Sequence, residues 1–355
     1  MKLNLSLKYS ALALVMLLAN TLLAKDQSEK KKYVEKSYKV SSSTQLSISN
    51  KFGKVEINSW EKSEFSIKIE IVGKGRNDER AQDIIDAIDI DIDESSSEIS
   101  FKTNIDNIKN KNGEGFEVNY TIHMPEANDL MVKNSFGDVA MGNRGGNLEA
   151  DVSYGSLKIG DVGGKIDLKL SFGSGSSSIG QIQKGDMEVK YSKLEIEAAG
   201  KLDLEQGFSD VEIGRVDDLE LESKYGSMEI EKAGKIIADA HFSSFEIEEL
   251  TGMLELDCSY LGDFTIERLA TSFTLVDIDG KFGSYDIGLA EGLNANIDAE
   301  FSFADLKISS DVDATFSYRV KESNKSHYKG KIGKGDPNKI IRIDSGYGSL
   351  RLKTD

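Results

Sequence analysis

Through most of the chain, apolar and polar residues alternate in short runs, as in Leu148-Glu149-Ala150-Asp151-Val152-Ser153, and each run ends at an aromatic residue. A period of two marks a strand with one buried face. The aromatics stand at Phe136, Tyr154, Phe172, Tyr191, Phe208, Tyr225, Phe242, Tyr260 and Phe282, in steps of 18, 18, 19, 17, 17, 17, 18 and 22 residues, alternating Phe and Tyr. Phe52, Phe303 and Tyr347 share the same surroundings outside this run. After most aromatics comes Gly or Ser, and apolar residues resume three and five positions on, as in Val211/Ile213, Met228/Ile230 and Leu350/Leu352. The change of parity predicts a corner, with a small residue where the backbone bends. The alternation also predicts that the aromatics face inward as one internal stack.

Two short arms cannot bury a hydrophobic face alone, whereas successive units stacked in parallel bury all of them in one core. The expected fold is therefore all-β: a single-chain parallel β-solenoid, or β-helix, with coils of about eighteen residues. Twelve coils at the spacing of paired strands make a rod on the order of 55–60 Å long. Two segments break the pattern. Between Gly73 and Gly115 a helix is predicted, capped by Asn77 or Asp78 with Ala81, Ile84, Ile85 and Ile88 on one face, followed by strands at Ile88–Ile92 and Ile99–Phe101. This small α/β insertion is expected to cap the N-terminal end of the solenoid, where open strand edges invite pairing. The basic, glycine-rich stretch Lys321–Lys339 reads as a surface loop before the last coil. The resulting division is 1–24 signal peptide, 25–37 flexible N-terminal segment, 38–133 first coil with capping insertion, and 134–355 solenoid repeats.

The signal-peptide reading rests on Lys2 and Lys8, the apolar run from Ala11 to Leu23, and a cleavage site at Leu22-Leu23-Ala24. It predicts an exported protein of the periplasm, the outer-membrane surface or the extracellular space, with no transmembrane segment after cleavage. With 61 acidic against 44 basic residues the formal net charge is −17, which excludes nucleic acid as a natural partner. A single cysteine, Cys258, rules out an intramolecular disulfide and leaves stability to packing.

The segment Ile48-Ser49-Asn50-Lys51-Phe52-Gly53-Lys54-Val55-Glu56-Ile57-Asn58-Ser59-Trp60, then the capped helix, then the Phe/Tyr-Gly coils, resembles the putative-adhesin, head-domain-like family of exported bacterial proteins. The resemblance runs from about Tyr38 to Leu352 and implies a β-solenoid in the cell envelope. It brings no catalytic residue with it.

Little in the sequence points to chemistry. His123, His241 and His327 lie far apart with no partner at metal-ligand spacing, and read as surface or structural residues. By alternation, His241 should face outward and Phe242 inward. Cys258 shares the parity of Leu254 and Leu256 and reads as a core thiol without a base. Trp60 reads as packing at the capped end. Neither a phosphate loop, nor a dinucleotide fingerprint, nor a nucleophile elbow is present. No enzyme is expected, since the short coils leave no long loops from which to build the cleft a carbohydrate-active β-helix enzyme needs.

Columns of acid are the exception. Four positions after the aromatic come Glu195, Glu212, Glu229 and Glu246; three before it come Glu188, Glu205, Glu222, Asp239 and Asp257. Stacking sets like charges against one another across adjacent strands. Either calcium ladders bridge them, or water, monovalent ions and lysines such as Lys190, Lys193 and Lys224 relieve them; no other cofactor is implied. The functional expectation is a non-catalytic binding or scaffold rod of adhesin type, with an envelope protein, glycan or matrix component as partner. The alternative is a periplasmic structural or regulatory component of envelope stress sensing.

Overall fold

The computed structural model describes residues 28–106, 108 and 113–355; the expected signal peptide at 1–24 lies outside them. Among the described residues the molecule is all-β, with twenty-six strands and one short helix. Most strand pairs are parallel, and antiparallel pairs gather at the two ends. In the middle, long strands such as Lys193–Gly207, Asp210–Lys224 and Ser227–His241 pair in register with an offset of seventeen residues: Leu194 faces Val211, which faces Met228. Every strand therefore lays its apolar residues over those of its neighbours. In Lys193–Gly207 the buried positions are Leu194, Ile196, Ala199, Leu202, Leu204 and Gln206. The steps of three at Ile196–Ala199 and Ala199–Leu202 mark where the chain turns while keeping its apolar side inward.

Each rung has a first arm leading to the aromatic and a second arm leaving it, so the stack has a wall of first arms and a wall of second arms. The corner between them departs from the sequence expectation. All twelve aromatics take the left-handed conformation, with φ between 51° and 63°. The aromatic itself, not the small residue after it, is the bend. A left-handed residue turns its side chain away from the side that alternation predicts, so the rings are 38–58% exposed instead of internal. Phe242 points outward and His241 is half-buried, reversing the expected orientation of Phe242. The corner leaves no amide unpaired: Tyr191 N–H donates to Gly207 O at 3.0 Å, Phe208 to Lys224 O at 3.0 Å and Tyr225 to His241 O at 3.2 Å.

The glycines after the aromatics serve close approach, since none of them has positive φ. A Cβ on Gly137 would lie 1.9 Å from the carbonyl oxygen of Gly53, and one on Gly155 would lie 2.0 Å from that of Gly137. Where serine replaces glycine, its hydroxyl turns inward to the backbone. Ser209 Oγ shares its one proton between Gly207 O at 2.9 Å and Val189 O at 3.1 Å, and accepts from Ser192 N–H.

Added strands extend both ends of the stack. At the N-terminal end the helix α1, Asp78–Asp86, is capped by Asn77, whose side chain accepts from Arg80 N–H at 2.9 Å, and buries Ala81, Ile84 and Ile85. Strands Ile88–Glu94 and Glu98–Ile105 extend the wall of first arms beyond Gln45–Lys51, and Gly115–Met124 with Glu64–Gly75 extends the wall of second arms. The stretch expected to be flexible is ordered from Ser28: Ser28–Lys39 is a strand antiparallel to Glu64–Gly75. At the other end only residues 333–339 of the expected surface loop Lys321–Lys339 are loop; the part up to Ile332 is strand but for its tight turn. Ala314–Lys321 and Lys325–Ile332 form a hairpin docked antiparallel on Ala295–Ser302, with Tyr328 and Ile332 buried. Strand alternation was present there in Ser326, Tyr328 and Ile332, but the lysines between them masked it.

A second correction concerns order. The segment containing Tyr347 is last in sequence but not last in space. Ile340–Gly346 pairs with Leu275–Lys281 on one side and Ala295–Ser302 on the other, and Leu350–Thr354 lies between Ser284–Leu289 and Leu306–Ile308. The final rung is thus inserted between the rungs of Phe282 and Phe303.

Candidate binding surface

The rings at the corner form one continuous ladder. Its order is Phe52, Phe136, Tyr154, Phe172, Tyr191, Phe208, Tyr225, Phe242, Tyr260, Phe282, Tyr347, Phe303, with centroids 4.7–5.0 Å apart and planes within 2–10° of parallel. Phe116 continues it edge-on against Phe52 at 5.1 Å. In sequence Phe282, Phe303 and Tyr347 break the Phe/Tyr alternation; in space Tyr347 restores it. From Phe136 to Phe303 the alternation is strict.

Because each ring face is covered by its neighbours, the ladder presents ring edges to solvent, with a tyrosine hydroxyl on every second rung. Phe303, the last ring, stacks on Tyr347 alone among the described rings and is the most exposed of the twelve. The left-handed conformation costs a bulky residue about 1–2 kcal/mol, and each stacking contact returns about 0.5–1.5 kcal/mol. The two nearly cancel, so the corner alone does not require an aromatic: Gly or Asn would hold the same backbone with less strain.

The acidic columns flank the ladder in the register the sequence suggests. Glu195, Glu212, Glu229 and Glu246 are direct neighbours on the wall of second arms, where with Glu231 and Glu248 they line an open groove of about 610 Å³. On the wall of first arms Glu188, Glu205, Glu222, Asp239 and Asp257 are aligned. That column continues through Asp279, Asp344 and Glu300, which sequence reasoning passed over although they too stand three residues before an aromatic. Basic residues are interleaved with the acids. Lys193 Nζ lies 2.6 Å from Glu212, and Lys190 bonds both Glu188 and, at 3.2 Å, Glu205. The hydrogen bond from Lys190 holds the Glu188 carboxyl below its ordinary range. Asp344 is pushed the other way, by desolvation first and then by Asp279 and Glu300 on either side. No three His, Cys, Asp or Glu among the described residues are grouped to hold a metal ion.

The remaining candidates are accounted for by local contacts. Trp60 donates from Nε1 to Glu64 O at 2.8 Å and lies against His123, with Lys62 over its ring. Cys258 is buried, 3.5 Å from Tyr285 Oη, and desolvation pushes its pKa up to about 11. His327 Nε2 bonds Asp298 at 2.8 Å. His241 joins Asp239 and Ser259, each at 2.7 Å, in a Ser–His–Asp chain that the sequence spacing does not announce. This chain lies across adjacent strands where the next amide, Tyr260 N–H, already donates to Lys281 O. His241 stands two residues after Asp239, the place Lys190 takes after Glu188.

No family model matches the chain, and no curated protein does. Solved structures show a distant likeness. A "putative adhesin" from Bacteroides fragilis is 14% identical over 91% of this chain and 98% of its own, with a TM-score of 0.32. Another from Parabacteroides merdae is 10% identical over 90% and 96%, at 0.35. A "putative lipid binding protein" from Parabacteroides distasonis is 12% identical over 90% and 96%, at 0.32. None of the described helices is long and apolar enough to cross a membrane.

Proposed function

We propose that the chain is a non-catalytic binding or scaffold protein of adhesin type: a parallel β-solenoid with coils of about eighteen residues, exported to the cell envelope, that grips an envelope protein, glycan or matrix component along its aromatic ladder. One observation carries this reading. Twelve aromatic rings are held in the left-handed conformation and kept in solvent, where smaller residues would strain the backbone less. A long, regular row of apolar edges and hydroxyls suits a partner that is itself extended and is engaged at many weak points. The absence of catalysis belongs to the same reading. The amide that follows Ser259 is already engaged by Lys281 O, and the acids stand in long columns on both walls instead of as one isolated pair.

The test pairs the wild type with the triple variant Tyr154→Asn, Tyr191→Asn and Tyr225→Asn, on a glycan array and on matrix-coated plates. Retention of the wild type with at least about tenfold weaker binding of the variant, with the variant still folded by its far-UV circular dichroism, is the expected result. Equal retention of the two, or none of either, rejects the ladder as the binding face. Protease treatment of intact and permeabilised cells then separates surface adhesion from a periplasmic role. Digestion on intact cells supports the first, and protection until the outer membrane is opened supports the second.

A further inference from the structure

The two ends of the wall of first arms are open strand edges of opposite charge. At the N-terminal end the outermost strand is Ile88–Glu94, paired on one side only. Asp89, Asp91 and Asp93 are exposed along it, and none has an ion-pair partner among the described residues. At the other end the outermost strand is Ala314–Lys321, also paired on one side only. From Arg319 to Lys331 the hairpin carries five basic residues against the single acid Glu322, in a chain of net charge −17. Beneath that edge Val312 and Phe316 are only partly buried, whereas Tyr328 and Ile332 on the next strand inward are covered. The wall of second arms has the reverse polarity. It ends in the lysine-rich strand Ser28–Lys39 at the acidic-edge end, and in Leu306–Ile308 beside Asp311 and Asp313 at the other.

We propose that copies of this chain associate head to tail, with the acidic edge Ile88–Glu94 of one copy adding to the basic edge Ala314–Lys321 of the next. Unpaired backbone donors and acceptors on a strand edge are a template for another strand, and charge selects which edges meet. With first-arm wall set on first-arm wall, a head-to-head contact puts acid on acid and a tail-to-tail contact puts base on base, whereas head to tail sets acid against base on both walls; that heterologous contact does not close. The strand directions agree. Ile88–Glu94 runs against its wall and Ala314–Lys321 runs with it, so two coaxial copies bring these edges together antiparallel.

Sedimentation velocity over a concentration series tests this with the wild type, an N-edge variant (Asp89→Lys, Asp91→Lys, Asp93→Lys) and a C-edge variant (Arg319→Glu, Lys325→Glu). The wild type is expected to form an open series of dimer, trimer and longer species that shortens in high salt. Each variant alone should associate at least about tenfold more weakly, and an equimolar mixture of the two should recover association, because the reversed edges are again complementary. Recovery on mixing excludes misfolding of either variant as the cause. A wild type that stays monomeric at every concentration means that the charges only protect the edges, and overturns the proposal. So does a single closed dimer, or a series that the N-edge variant leaves intact, which would instead place the basic hairpin on the acidic side columns of a neighbour.

Discussion

At the corner, one backbone angle decides whether a residue that alternation assigns to the core reaches solvent. Tyr191 shows the balance. It loses its inward side through φ of 52° and gains ring contacts at 4.9 Å with both Phe172 and Phe208. Replacing it with Ala removes both contacts and keeps the strained backbone, and should cost about 1–3 kcal/mol. Replacing it with Asn also removes the contacts but relieves the strain, and should leave the protein about 1 kcal/mol more stable than the Ala variant. Denaturant midpoints of the two variants measure the difference; equal midpoints would mean that the left-handed backbone carries no strain here. The sequence marked every one of these positions through its spacing, but not their direction, because period-two reasoning assumes an extended backbone on both sides of the residue. The glycines were equally misleading. Gly137 and Gly155 looked like residues chosen for freedom of bend, and are in fact chosen for having no Cβ to strike the carbonyl of the rung beside them.

Among the strands, register is the property most legible in advance. Glu195, Glu212, Glu229 and Glu246 stand side by side because a fixed offset from the aromatic fixes the neighbour. The same offset predicts Asp279, Asp344 and Glu300, and only the irregular spacing after Tyr260 hid them. Asp344 lies between two acids, with a carboxyl raised above its ordinary value. A raised folded-state value means that this group's contribution to stability is present at low pH and is lost as pH rises through that value. Asp344→Asn should therefore stabilise the protein at neutral pH by about 0.2–1 kcal/mol, and leave it nearly unchanged in acid, where the wild-type carboxyl is protonated. Melting curves at the two pH values check this, and a variant that melts lower at neutral pH would show that Asp344 serves as an acceptor. The hairpin Ala314–Ile332 was harder to read, because one face of it lies near solvent and its lysines resemble those of a loop.

For the whole molecule, the path of the chain differs from its sequence order at the C-terminal end. Residues 340–354 form an interior rung, so deleting them removes the neighbour of both Phe282 and Phe303 and exposes Ile278, Ile287, Ile297 and Ala299. A chain ending at Lys339 should lose several kcal/mol, far more than the shedding of a terminal rung from a stack, and should leave residues after about 275 open to protease. Limited proteolysis of the truncated chain reads this directly; a protected fragment reaching Ile332 would contradict it. The repeat made the parallel stack legible, but repeats carry no information on which neighbour an isolated unit chooses. The one hint was chemical. Phe282, Phe303 and Tyr347 alternate only if the tyrosine lies in the middle.

That insertion also imposes an order of events on synthesis. Chains emerge N-terminus first, so the rod can grow rung by rung as far as Phe282 and must then stop. The next segment to appear, Ala295–Ile308, belongs two places along; it can pair with the hairpin strand Lys325–Ile332 but cannot join the stack until residues 340–354 arrive to fill the gap. Completion of this end is therefore a late, non-local closure, slow by the measure of sequence separation, and until it occurs the growing tip remains a sticky edge.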